Sequence, residues 1–133
     1  MADKTVVLRA FNTHLFEFID DIISVFPDNV DIKTSRTSLE YTKKLNPTMI
    51  IKIWYSYIYL PYAAIIDAGD LEFFVAKDYS ADVSNLPNSR DILAAVDSLR
   101  SPIRGMTDEN KTHSLSYIQN LCRLSNAYND LTV

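Results

Sequence analysis

Only two glycines, Gly69 and Gly105, stand in this chain of 133 residues, against five prolines. Glycine is the residue that adopts positive φ at little cost, and sheets built from hairpins need several such positions. An all-β fold is therefore disfavoured before any periodicity is read. Phosphate-cradling loops go with it, because neither GxGxxG nor GxxxxGKS/T can be written with two isolated glycines. Apolar residues make up 47% and charged residues 23%, an ordinary globular balance, and the length is that of one domain. The expectation is all-α: a compact single-domain bundle of five to seven helices, with no sheet. It should span residues 1–133 with an ordered core over about 5–129.

The helical periodicity is strongest at the start. In TVVLRAFNTHLFEFIDDIISVFP, Leu8, Phe11, Leu15, Phe18, Ile22 and Val25 recur at spacings of three and four, and Phe16, Ile19, Ile23 and Phe26 widen the stripe. Arg9, Asn12, Glu17, Asp20, Asp21 and Ser24 take the other side, giving an amphipathic helix that ends at Phe26 before Pro27. The seven-residue repeat lasts about two and a half heptads, too short for a coiled coil. After PDNVD, the stretch 31–46 is a weaker, surface-lying helix. Its aliphatic positions are Ile32, Leu39 and Leu45, Tyr41 is a partial one, and Lys43 and Lys44 sit in its last turn.

Asn46-Pro47 reads as a cap followed by proline at the first helical position. The helix it opens runs to about Tyr59 or Leu60, with Thr48, Lys52, Ser56 and Tyr59 as its one polar strip, so it belongs among several neighbours. Pro61 should break or kink it. A short piece, YAAIIDA, follows to Gly69-Asp70, which closes one helix and caps the next. In LEFFVAK (71–77), Leu71, Phe74 and Val75 should face inward. The interval 78–89 reads as an extended loop, with Asn88 or Ser89 capping a helix that carries Ile92, Val96, Leu99 and Ile103 on one face. Pro102 should kink its end and Gly105 close it. Thr107 then caps a final helix with an inner face of Leu115, Ile118, Leu121, Cys122 and Leu124, reaching about Tyr128.

The 46–70 region also invites other readings. A membrane span needs about twenty largely apolar residues, whereas Lys52, Pro61 and Asp67 leave an uncharged run only from Ile53 to Ile66. No membrane contact is expected. Stacking of Trp54 and the tyrosines on unpaired bases would need interleaved basic residues, and Lys52 is the only one nearby. Packing through the ring is the simpler use of a tyrosine. Tyrosine is also enriched at protein interfaces, so Tyr55, Tyr59 and Tyr62, which flank or interrupt the polar strip, form a candidate partner surface.

Catalytic and metal chemistry find little support. His14 and His113 lie 99 residues apart, and Cys122 falls on an inner helix face, where a thiol is usually inert packing. A Cys122–His113 pair would be about 13 Å apart along one helix axis. Asp67, Asp70, Glu72, Asp78 and Asp82 cluster in sequence and could hold a cation, but they lack the EF-hand spacing. No enzyme activity, metal or cofactor is expected. A formal net charge of −4 with scattered bases speaks against sequence-independent nucleic-acid binding. The densest basic group is Lys33, Arg36, Lys43 and Lys44. One cysteine and no secretory signal fit a reducing compartment, where the Asn110-Lys111-Thr112 sequon has no use.

Several segments resemble a known family. They are FNTHLFEFIDDIISVFPDNVDI, KKLNPTMIIKIWYSYIYLPYAAIIDAGDLEFFVAKDYSADVSNL and SLRSPIRGMTDENKTHSLSYIQNLCRLSNAYN, about residues 10–129 in all. They are similar to small, largely uncharacterised helical proteins of large nucleocytoplasmic DNA viruses, including giant viruses of algae and protists. The resemblance rests on Asn46-Pro47, Gly69-Asp70 with Phe73-Phe74, Lys77-Asp78-Tyr79-Ser80, the stretch 102–106 and Tyr117 to Leu121. It implies a viral protein of the host cytoplasm, a viral factory or the virion, and brings no catalytic motif. Two roles follow as expectations. One is a helical module for contacts with a viral or host protein, or with copies of itself. The other is an accessory factor in viral transcription or replication, touching nucleic acid through Lys33, Arg36, Lys43 and Lys44.

Overall fold

The computed structural model describes residues 3–76, 94–95 and 97–132, and every regular element among them is helical. The fold is all-α. Helix α1, Lys4–Val25, begins where the Asp3 carboxylate accepts the Val6 amide at 2.9 Å, satisfying a donor that the first helical turn leaves free. The chain turns after Phe26, and Asn29 accepts the Ile32 amide at 3.2 Å to open α2, Val30–Leu45.

Three walls enclose the core. From α1 come Val7, Phe11, Leu15, Phe18 and Ile22, with Phe16 and Ile19 beside them. The second is the C-terminal helix, which supplies Ile118, Leu121, Cys122 and Tyr128, and the third is the 49–67 helix, with Ile50, Ile51, Ile53, Trp54 and Ile58. They meet at Trp54, which is 1% exposed, stands edge-on to Phe11 with centroids 6.0 Å apart, and donates its indole N–H to Cys122 Sγ at 3.4 Å. Each such buried side chain stabilises the fold by about 1.5–3 kcal/mol.

Helix α2 lies on the surface as the sparse pattern predicts, burying only Ile32 and Leu39. Leu45 and Tyr41 add nothing to the core, being 70% and 64% exposed. Six residues past Leu39, Leu45 falls about 120° off the buried stripe. Asn12, placed by pattern on the polar side of α1, is instead buried at 7% exposure and ties α1 to the turn before the third helix, its Nδ2 donating to the Pro47 carbonyl at 3.1 Å.

The 49–67 helix departs from the sequence reading at both proline positions. Asn46 Oδ1 accepts from the Thr48 amide at 3.1 Å and from its hydroxyl at 2.8 Å. Pro47 and Thr48 thus form a turn, and helix α3, Met49–Trp54, starts two residues later than the proline signal suggests. Pro61 does not break the helix. A π turn, Tyr55–Tyr59, joins α3 directly to α4, Leu60–Asp67. The Leu60 amide reaches back five residues to the Tyr55 carbonyl. Widening the turn makes room for a residue that offers no N–H to the Tyr57 carbonyl and would press its ring into an α turn there.

The end of α4 is closed at Gly69, whose φ is +86°. The Asp70 amide reaches the Ile65 carbonyl at 3.2 Å and the Gly69 amide reaches Ile66 at 3.0 Å, a paired closure that needs the left-handed residue. Asp70 then caps α5, Leu71–Ala76, by accepting the Phe73 amide at 3.0 Å.

The expected loop 78–89, its caps Asn88 and Ser89, and Ile92 lie outside the described residues. Beyond them Ala95, Leu99 and Ile103 are buried. The helix expected to run into Pro102 is interrupted earlier, at Ser98 and Leu99, before α6, Arg100–Arg104. Pro102 can give no N–H to the Ser98 carbonyl four residues back. The Ser98 hydroxyl donates to the Ala95 carbonyl at 2.6 Å and lies 2.8 Å from that of Ser35 on α2. Thr107 opens α7, Asp108–Thr132, by accepting the Asn110 amide at 3.3 Å. This helix continues past Tyr128, where fraying was expected, and its inner face includes Ser114 and Ser125.

Candidate functional site

The outward edge of the 49–67 helix carries Lys52, Ser56, Leu60, Pro61, Ala64 and Asp67, all exposed. Leu60 is 59% exposed, an unusual position for a leucine in the middle of the most apolar helix. The tyrosines predicted as a partner surface line this edge half-buried. Tyr55 and Tyr59 stack across the π turn, with centroids 5.4 Å apart and planes inclined by 19°. The Tyr55 hydroxyl accepts from Asn129 Nδ2 at 3.0 Å, which leaves its own proton free to donate. Tyr62 packs on Phe73 with centroids 5.2 Å apart. Each ring therefore rests against its own chain and keeps one edge in water.

The charges around this rim are acidic on the Tyr59 side. Burial, then the fields of Asp67, Tyr55, Cys122 and Asp130, push the Tyr59 phenol above its ordinary value, so it stays a neutral donor. Toward α7 the edge falls into a cleft of about 270 Å³ lined by Ile51, Lys52, Tyr55, Ser56, Tyr128 and Asn129. Ser125, also at this cleft, donates to the Cys122 carbonyl at 2.8 Å. Polar tips on an apolar wall suit recognition of another surface.

The basic group of the alternative reading lies along one side of α2, within an arc of about 100°. Arg36 is bonded to Asp20 at 2.6 Å and to Glu40 at 3.1 Å, and the Asp20 hydrogen bond is the main reason its guanidinium holds its proton more tightly than usual. Arg36 and Lys43 both lie over the Phe16 ring, at 5.3 and 4.7 Å from its centroid. Lys33 and Lys44 remain exposed on α2. Two of the four are engaged within the fold, Arg36 by carboxylates and Lys43 by the Phe16 ring.

His14 packs against Tyr117 with centroids 4.7 Å apart and planes tilted by 39°, and Tyr117 stacks on Phe18 at 5.1 Å. Burial lowers the His14 pKa, opposed in part by Glu17. His113 is exposed on α7. The Cys122 thiol is pushed up to about 11, mainly by burial, so it is a packed thiol rather than a nucleophile. Asp67, Asp70 and Glu72 are exposed, and no three His, Cys, Asp or Glu side chains gather among the described residues. Asp78 and Asp82 lie outside them.

Two features escaped the sequence reading. Asn12 has its Oδ1 buried with no donor beside it among the described residues, at a groove of about 400 Å³ lined by Thr5, Leu8, Arg9, Thr13, Lys43 and Pro47. The other is the continuity of the helix through Pro61. Its 19 residues make it long and apolar enough to cross a membrane, although a third of its apolar window is buried within the protein.

Comparison with protein-family models, with curated proteins and with solved structures finds no match to this chain.

Proposed function

We propose that this protein is a non-enzymatic helical module that holds a protein partner at the outward edge of the 49–67 helix. The observation that carries this reading is Leu60, exposed at the start of α4 just past the π turn, between tyrosines whose rings are anchored and whose edges are wet. Rigid aromatic side chains around an apolar centre are the usual composition of an interface core, and π turns recur at functional sites. The chemistry of the two histidines and the cysteine points the same way, since the thiol is held protonated in the core and the imidazoles lie on different helices. The resemblance described above suggests a viral or host protein as partner.

A photo-crosslinking side chain at Ser56, with one at Thr37 on α2 as control, tests the reading. Adducts should form from position 56 alone and vanish with Leu60→Asp. If Tyr59→Ala and Tyr62→Ala leave every interaction and assembly state unchanged while the fold survives, the proposal fails.

A further inference from the structure

We infer that the partner at this edge is a second copy of the chain, docked antiparallel about a two-fold axis at Leu60. This rests on the edge being a binding surface and adds its occupant. The exposed stripe is Lys52, Ser56, Leu60, Ala64 and Asp67, and its two ends about Leu60 are small next to the centre and opposite in charge at the tips. In a pure α-helix each step of four residues drifts about 40°, so three steps from Lys52 to Ala64 would wind about 120° around the barrel. The π turn holds one residue more than an α turn and takes back about 100° of that drift. The stripe therefore stays on one straight face, the shape that a second helix can lie along.

An interface between identical copies must be self-complementary. Here the two-fold sets Leu60 on Leu60, faces Ser56 with Ala64, and brings Lys52 to the Asp67–Ala68 end of the other copy, twice over. Lys52 and Asp67 are about 22 Å apart along the axis, both exposed, and neither has an ion-pair partner among the described residues. The small Ser56 and Ala64 side chains permit helix axes about 8 Å apart. Tyr55 and Tyr59 flank the centre as anchors. An unrelated partner would not require a basic end and an acidic end placed about two turns to either side of this exposed leucine. The net charge of −4 on each copy opposes approach, so the contact is tested at high concentration and by exchange of charges rather than by salt.

Sedimentation equilibrium on the whole protein and four variant samples decides the matter, with helicity of each checked by circular dichroism. The wild type should dimerise. Lys52→Asp and Asp67→Lys should each weaken self-association about tenfold. Mixed in equal amounts, the same two variants should pair with wild-type strength, because every cross-interface contact in the mixed dimer is again opposite in sign. Leu60→Asp should be monomeric. A wild type that is monomeric at millimolar concentration overturns the inference, as does a mixture no stronger than its components. Adducts from position 56 to a different protein, with the wild type monomeric, would overturn the second copy and leave the binding edge standing. Loss of neither adduct nor assembly in Leu60→Asp would remove both.

Discussion

Replacing Asn12 by leucine should stabilise this protein, although it removes a hydrogen bond from the core. The two side chains branch at the same atom and have the same number of heavy atoms, so the shape is kept, and the bulkier methyls can extend into the adjoining groove of about 400 Å³. The lost interaction is the 3.1 Å bond from Nδ2 to the Pro47 carbonyl, worth about 0.5–1.5 kcal/mol. Pro47 is exposed, so its carbonyl can turn to water instead, and the lower end of that range applies. Against it stands Oδ1, buried without a donor among the described residues, whose desolvation costs the native fold about 1–3 kcal/mol. The difference favours leucine by about 1 kcal/mol, a rise of about 4 °C in Tm for a domain of this size. Urea unfolding followed at 222 nm measures it directly. Asn12→Asp, which buries a carboxylate in the same place, should cost several kcal/mol. If Asn12→Leu instead loses about 1.5 kcal/mol or more, Oδ1 has a partner in solution and the reasoning is wrong.

Three further outcomes are expected. Because burial depresses the His14 pKa in the folded state, the unfolded chain takes up the proton first. The associated stability is fully present above the unfolded value of about 6.5 and is lost as pH falls through the lower folded value. Urea midpoints between pH 7.5 and 5.5 should fall toward acid, and the slope should flatten in His14→Phe. The Cys122 thiol, held near 11, should resist disulfide reagents at pH 8 until urea unfolds the chain, and immediate labelling of the native protein would contradict its burial. Gly69→Ala should destabilise by about 1–2 kcal/mol through its φ of +86°, not through crowding, because the added carbon would sit 3.8 Å from Leu115 Cδ2.

Local signals in the sequence were reliable where one short-range interaction decides the outcome. The α1 stripe, the Gly69-Asp70 closure and the Thr107 cap are of this kind, each set by residues within one turn. Of the two outcomes read at Pro61, a break and a kink, the break is excluded, because a missing N–H has two remedies, ending the helix or widening it, and burial of Ile58 and Ile66 on either side favours the second. Asn12 was misplaced because a stripe reports which face is apolar and not where neighbours stop. The tyrosine rim was legible as a candidate, but its geometry was not. Tyr55 is positioned by Asn129, 74 residues away, and Leu60 is exposed because no other part of the described chain covers it. Contacts of that range leave no periodicity.

The meeting of Trp54 with Cys122 has a use of its own. This chain has one tryptophan and one cysteine, and the fold sets the indole N–H against the sulfur at 3.4 Å across 68 residues of sequence. A thiol quenches an excited indole on contact, so the native state carries its own optical switch for the closing of this 68-residue loop. Emission should brighten in Cys122→Ala and, in the wild type, report in real time when the central helix and the C-terminal helix have come together.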